Sequence, residues 1–181
     1  MILRVIAYLL WLSIGLYFGV GGYLTLDLEE RKINAKSLPR AEAVYDGIEF
    51  KNIELAQVYI DEKKAKPFFS FIMDNLPKNL IYLITAMSFG VLGVITRITK
   101  ETVIDKFEFK KTEMFFYPIL GIMTGILILA ISKIIPNLLV NSKNNVEPLT
   151  LAFFSLIAGF GSQRFYTWLT ESSSKIFGRS E

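Results

Sequence analysis

Four long apolar stretches, at residues 5–26, 80–98, 114–135 and 149–169, decide what this chain can fold into. A helix rises about 1.5 Å per residue, so about 20 apolar residues cover the roughly 30 Å hydrocarbon layer of a bilayer. With no water in that layer, each amide must bond within its own segment, which makes every such stretch a helix. The expected fold is an all-α membrane protein, a four-transmembrane-helix bundle forming one membrane domain over 1–181. An extramembrane loop at 27–78 follows the first span, and it is too small to build a strong water-soluble core alone.

The side-chain inventory narrows the function further. No Cys and no His occur among the 181 residues. Disulfides, thiolate nucleophiles and thiolate metal sites are therefore excluded. The commonest general base and the commonest transition-metal ligand are missing as well. No spaced acidic cluster offers oxygen ligands to a hard cation. No catalytic, cofactor-binding or metal site is assigned, no cofactor is expected, and the reading is non-enzymatic. A membrane-bound enzyme acting on lipid would need a catalytic pair that the sequence does not display. A formal charge of +3, from 20 basic and 17 acidic residues, is too small to indicate nucleic acid as a partner.

Arg4 and the apolar run after it resemble a signal peptide at first sight, but the run continues through Gly21-Gly22-Tyr23-Leu24-Thr25-Leu26 with no A-x-A site at its end. Ala41-Glu42-Ala43 comes only after a charged run, so the first stretch is read as an uncleaved anchor. Asp27-Leu28-Glu29-Glu30-Arg31-Lys32 marks its exit. Within the loop, Tyr45-Asp46-Gly47 reads as a turn and Ile48-Glu49-Phe50 as a strand. Leu55, Val58 and Tyr59 share one face of an amphipathic helix over 53–64, which Pro67 is expected to break. Phe68, Phe69, Phe71, Ile72 and Met73 then form an interfacial approach to the second span, entered at Pro77 and Lys78. Connectors follow at 99–113, draped on the membrane or on helices, and at 136–148, an exposed turn.

Orientation follows from basic-residue density. With the N-terminus inside, Arg97, Lys100, Lys106, Lys110, Lys111, Lys175 and Arg179 fall on the cytoplasmic side. The other side holds more by raw count, nine basic residues in the long loop with Lys78 plus Lys143, but spreads them over a greater length. Both termini are expected in the cytoplasm, in a multi-pass protein of a cell inner membrane. The inverse orientation would offer the loop to a soluble protein partner.

Small residues recur four apart in each span: Gly15 and Gly19, Ala86 and Gly90, Gly121 and Gly125, Ser155 and Gly159. This spacing lets helix backbones approach closely, either inside the bundle or between copies in a homo-oligomer. Arg164 lies near the end of the fourth stretch beside Ser162 and Gln163. It is either an anchor snorkelling to the headgroups, with Trp168 and Glu171 as neighbours, or part of a functional polar site. Arg97 and Lys133 read as interfacial anchors, and no span carries the Asp, Glu or His chain of a proton relay.

The last three spans carry Ser88-Phe89-Gly90-Val91-Leu92-Gly93 running on to Arg97, then Pro118-Ile119-Leu120-Gly121, then Ala158-Gly159-Phe160-Gly161-Ser162-Gln163-Arg164-Phe165. Over about 80–169 this pattern resembles small, poorly characterised bacterial polytopic membrane proteins whose Gly-rich last helix ends in a Ser-x-Arg-aromatic element. Gln163 stands where an acid is usual there, and Gly161 is additional. The resemblance implies membrane location and assembly, and no activity. The function expected is that of a self-associating membrane component of a larger system, with membrane lipid as its surroundings. The alternative is an oligomeric pore or membrane-perturbing effector, as in phage defence, with Ser162 and Arg164 on a gated path.

Overall fold

The computed structural model describes residues 2–103, 113–134 and 147–164, with side chains over 5–102, 116–133 and 147–164. In chain order the elements are α1 (Ile2–Lys36), β1 (Ala43–Tyr45), β2 (Ile48–Phe50), α2 (Ile53–Asn75), α3 (Lys78–Val103), α4 (Glu113–Ile134) and α5 (Pro148–Phe160). Three helices are long and apolar enough to cross a membrane, over Val5–Lys36, Lys78–Thr102 and Phe116–Lys133. α5 is equally apolar but shorter in its described part. Its helical path turns at Gly161 and resumes over 162–164, and the rest of the expected span at 149–169 lies outside the described residues. So do the connectors at 104–112 and 135–146, and with them Trp168 and Glu171.

Helix α3 is the axis of the bundle, packed by α1, α4 and α5. Its Ala86, Val91, Val94 and Ile95 are buried. Contacts fix the directions: Gly22 of α1 lies against Thr85, and Gly15 against Leu92, so α1 runs antiparallel to α3. Gly121 and Gly125 of α4 meet Gly90 and Ala86, which makes α4 antiparallel to α3 too. α5 runs parallel to α3, with Leu151 in one cluster with Ala86 and Gly159 against Gly90.

The α3–α4–α5 seam is close enough to involve backbone against backbone. A Cβ on Gly121 would lie 2.7 Å from the Gly90 carbonyl oxygen, and one on Gly93 would lie 2.6 Å from the Phe160 amide nitrogen. Gly90 is touched from both sides, by Gly121 and by Gly159. Such separations leave no room for a side chain, and the gain is dispersion contact along the whole crossing. Buried hydroxyls close on their own helices: Thr25 donates to the Gly21 carbonyl, Thr85 to that of Ile81 and Thr124 to that of Leu120.

The segment 27–78, expected as an extramembrane loop, is instead mostly helical and forms a head on one end of the bundle. α1 does not stop at residue 26 but runs through Asp27-Leu28-Glu29-Glu30-Arg31-Lys32 to Lys36. Charges end a stretch suited to lipid, yet Leu, Glu, Arg and Lys are all good helix formers, so the helix continues. At about 1.5 Å per residue α1 is about 50 Å long, well beyond the roughly 30 Å of a hydrocarbon layer.

The projecting part is held by α2. Arg31 bonds Asp61 at 2.9 Å and reaches Glu54 at 3.4 Å, while Lys32 pairs with Glu62 at 3.6 Å. Asn52 caps α2 by accepting from the Leu55 amide at 2.9 Å, and its side-chain nitrogen donates to the Ala35 carbonyl at 2.7 Å. That one buried side chain thus starts one helix and ends another. Asn52→Ala is expected to destabilise the head by about 2 kcal/mol, from the lost cap and an unpaired buried carbonyl. Faster hydrogen exchange in the first turn of α2, with the α3 core unchanged, is the measurement that checks it.

The expected turn and strand are present as a hairpin. Tyr45 pairs with Ile48 across Asp46-Gly47, both at positive φ (54° and 75°), as a two-residue primed turn requires. Tyr45 and Phe50 pack against Tyr59 of α2. Lys63 donates to Asp46 at 2.6 Å, a hydrogen bond that holds the Asp46 carboxyl below its ordinary value.

Pro67 does not end the helix as expected. α2 continues to Asn75 with a kink at Phe69 (φ −123°, ψ 22°), because the far side of the kink is held by packing. Ile72 and Phe69 fit against Gly21 of α1, and Ile72 clusters with Leu26 and Ile81. The kink also explains why Phe68 and Ile72, four residues apart, do not share a face: Phe68 is 73% exposed and Ile72 0%.

Candidate functional site

The sequence singled out Ser162, Gln163 and Arg164, and the structure does not bring them together as one site. Successive helical residues point about 100° apart. Ser162 is buried, with its hydroxyl unpaired among the described residues, whereas Gln163 and Arg164 are exposed. Ser155 is likewise buried and unpaired.

What forms around Gln163 and Arg164 is a cleft at the end of the bundle opposite the head. Its centre is Arg97, in the last turns of α3. The Arg97 Nε donates to Glu101 one turn on, at 2.6 Å, and Nη2 donates to the Gln163 Oε1 in the helical turn that follows α5. Its guanidinium carbon lies 5.6 Å from the ring centroid of Tyr117 on α4, within cation–π range. One partly buried arginine therefore ties α3, α4 and α5 together. Reading Arg97 only as an anchor missed this. The Arg97–Glu101 spacing was visible, but the contact with Gln163 spans 66 residues of sequence and needs the tertiary fold.

Lys100 and Arg164, both exposed, complete the rim with Phe160 and Gly161, enclosing about 370 Å³. Three cations thus face a single carboxylate, Glu101, which is already committed to Arg97. A second cavity of about 210 Å³, lined by Trp11, Ile14, Phe18, Met87, Val91 and Ile122, is almost wholly apolar and suits hydrocarbon.

No protein-family model, curated protein or solved structure matches this chain. Its chemistry is therefore read from the residues themselves. Among the described residues no group of three or more metal-ligating side chains converges. The eight small residues each lie at a helix contact: Gly15 and Gly19 face Ser88 and Leu92, and Ala86, Gly90, Gly121, Gly125 and Gly159 lie in the α3–α4–α5 seam. Ser155 is buried on the same face of α5 as Leu151 and Gly159. The arginine that pairs with a carboxylate here is Arg97, through Glu101, and Gln163 accepts from the same Arg97.

Proposed function

We propose that this chain is a non-enzymatic, four-span integral membrane protein of a bacterial inner membrane, with both termini cytoplasmic, serving as the membrane component of a larger system. The fourth span is the apolar stretch at 149–169, of which α5 is the described part. One observation carries the reading: α1 continues out of its apolar stretch as one unbroken helix and is clamped to α2 through Arg31, Lys32 and Asn52. A head joined this stiffly to a membrane helix is suited to transmitting or fixing position rather than to chemistry.

The head also presents apolar side chains to its surroundings. Val44 is 70% and Ile53 69% exposed, on the hairpin and at the start of α2. These are contacts suited to a protein partner or to a second copy of the chain. The eight small residues are occupied within the protomer, so self-association would use other faces. The pore alternative gains no support, since Ser155, Gly159 and Ser162 are buried within the protomer and line no open path there.

Site-specific photo-crosslinking from position 44 in living cells tests the proposal. Adducts to one discrete protein, or to the chain itself, are expected. Absence of any protein adduct, with a monomer in nanodiscs, would refute a partner-dependent role.

A further inference from the structure

We infer that the cleft bounded by Arg97, Lys100, Gln163 and Arg164 binds a phosphate group, carried by an anionic phospholipid headgroup or free in solution. Three basic side chains converge on the cleft against one carboxylate, and Glu101 spends its charge on Arg97. Lys100 and Arg164 have no ion-pair partner among the described residues, although carboxylates are frequent elsewhere in the chain and take up Arg31, Lys32, Lys63, Lys66 and Lys78.

Geometry adds to charge. Arg97 is held by Glu101, Gln163 and the Tyr117 ring, so one wall of the cleft is fixed before anything binds. Preorganisation of this kind reduces the ordering that binding would otherwise demand. Arg164 supplies a planar fork that matches two phosphate oxygens, and Lys100 a mobile point charge for the third. The volume of about 370 Å³ is several times what one water needs in the liquid, about 30 Å³. A phosphate together with a glycerol-sized group would fit. Phe160 on the rim gives the cleft an apolar border, as a site at a membrane boundary would have.

The lipid source rests on the membrane reading above, whereas free phosphate does not, so the two sources fail separately. The test uses the full chain in phosphatidylcholine nanodiscs and follows its unfolding midpoint. One arm replaces part of the lipid with phosphatidylglycerol, and the other adds inorganic phosphate against chloride at equal ionic strength. A rise of several degrees in either arm is expected. It should vanish in the double variant Lys100→Gln, Arg164→Gln and persist in Lys133→Gln, which removes an exposed charge at the opposite end. A rise confined to phosphatidylglycerol assigns the lipid, and a rise with inorganic phosphate assigns the free anion. No rise in either arm overturns the inference, as does a rise that survives the double variant or is lost equally in Lys133→Gln. Should the double variant unfold early in phosphatidylcholine alone, Arg164→Gln is read by the same criteria.

Discussion

Gly90→Val is expected to unfold the bundle. A Cβ at this position would fall on the Gly121 carbonyl oxygen, with the Gly125 amide nitrogen only 3.2 Å away, and Gly159 presses in from the other side. None of these atoms belongs to a side chain that could rotate aside. α4 would have to move away from α3, losing the close crossing that small residues permit. Overpacking a well-fitted core typically costs about 1–3 kcal/mol, and a clash with backbone atoms lies at or beyond the top of that range. The unfolding midpoint in mild detergent should fall accordingly, along with the yield of folded protein. Gly161→Ala is the matched control, because its new Cβ would stand 3.5 Å from the Ile157 carbonyl oxygen, an ordinary contact. Its effect should stay within about 0.5 kcal/mol.

A second large effect is expected at Ile72. This side chain fills the junction of α1, α2 and α3 with Leu26 and Ile81, and Gly21 exists opposite it to make room. Ile72→Ala would leave a cavity beneath the kinked half of α2 and cost roughly 2–4 kcal/mol. The loss should fall on the head rather than the bundle. Tryptic cleavage after Lys63 or Lys64 should accelerate while α3 keeps its hydrogen-exchange protection. Phe68→Ala removes a larger but exposed group one turn earlier and should change neither reading. Equal effects from the two substitutions would contradict the kink at Phe69.

These residues also show where the sequence was readable and where it was not. The centres of α1, α3 and α4 were legible because an apolar stretch of that length has few other fates. The hairpin turn was legible because Asp46-Gly47 accepts positive φ at both positions. The end of α1 was misjudged, since a charged run ends favourable burial in lipid and says nothing about backbone geometry. Pro67 suggested a stop, whereas packing of Ile72 on α1 converts the stop into a kink. Small residues four apart announced close helix contact without naming the partner. That Gly90 meets both Gly121 and Gly159 depends on three helices meeting at one level. At the candidate site the charged residues were visible one by one, but Arg97 became its centre only when α4 and α5 brought Tyr117 and Gln163 to it.

The absence of cysteine makes a direct test of the membrane-crossing bundle simple, because each introduced thiol is unique. Glu49→Cys places one on the hairpin of the head, and Lys100→Cys places one at the far end of α3, both at exposed positions. A membrane-impermeant maleimide is then applied to sealed vesicles of each orientation. If α3 crosses the bilayer, position 49 labels only from one face and position 100 only from the other. Labelling of both from the same face would mean that α3 does not traverse lipid.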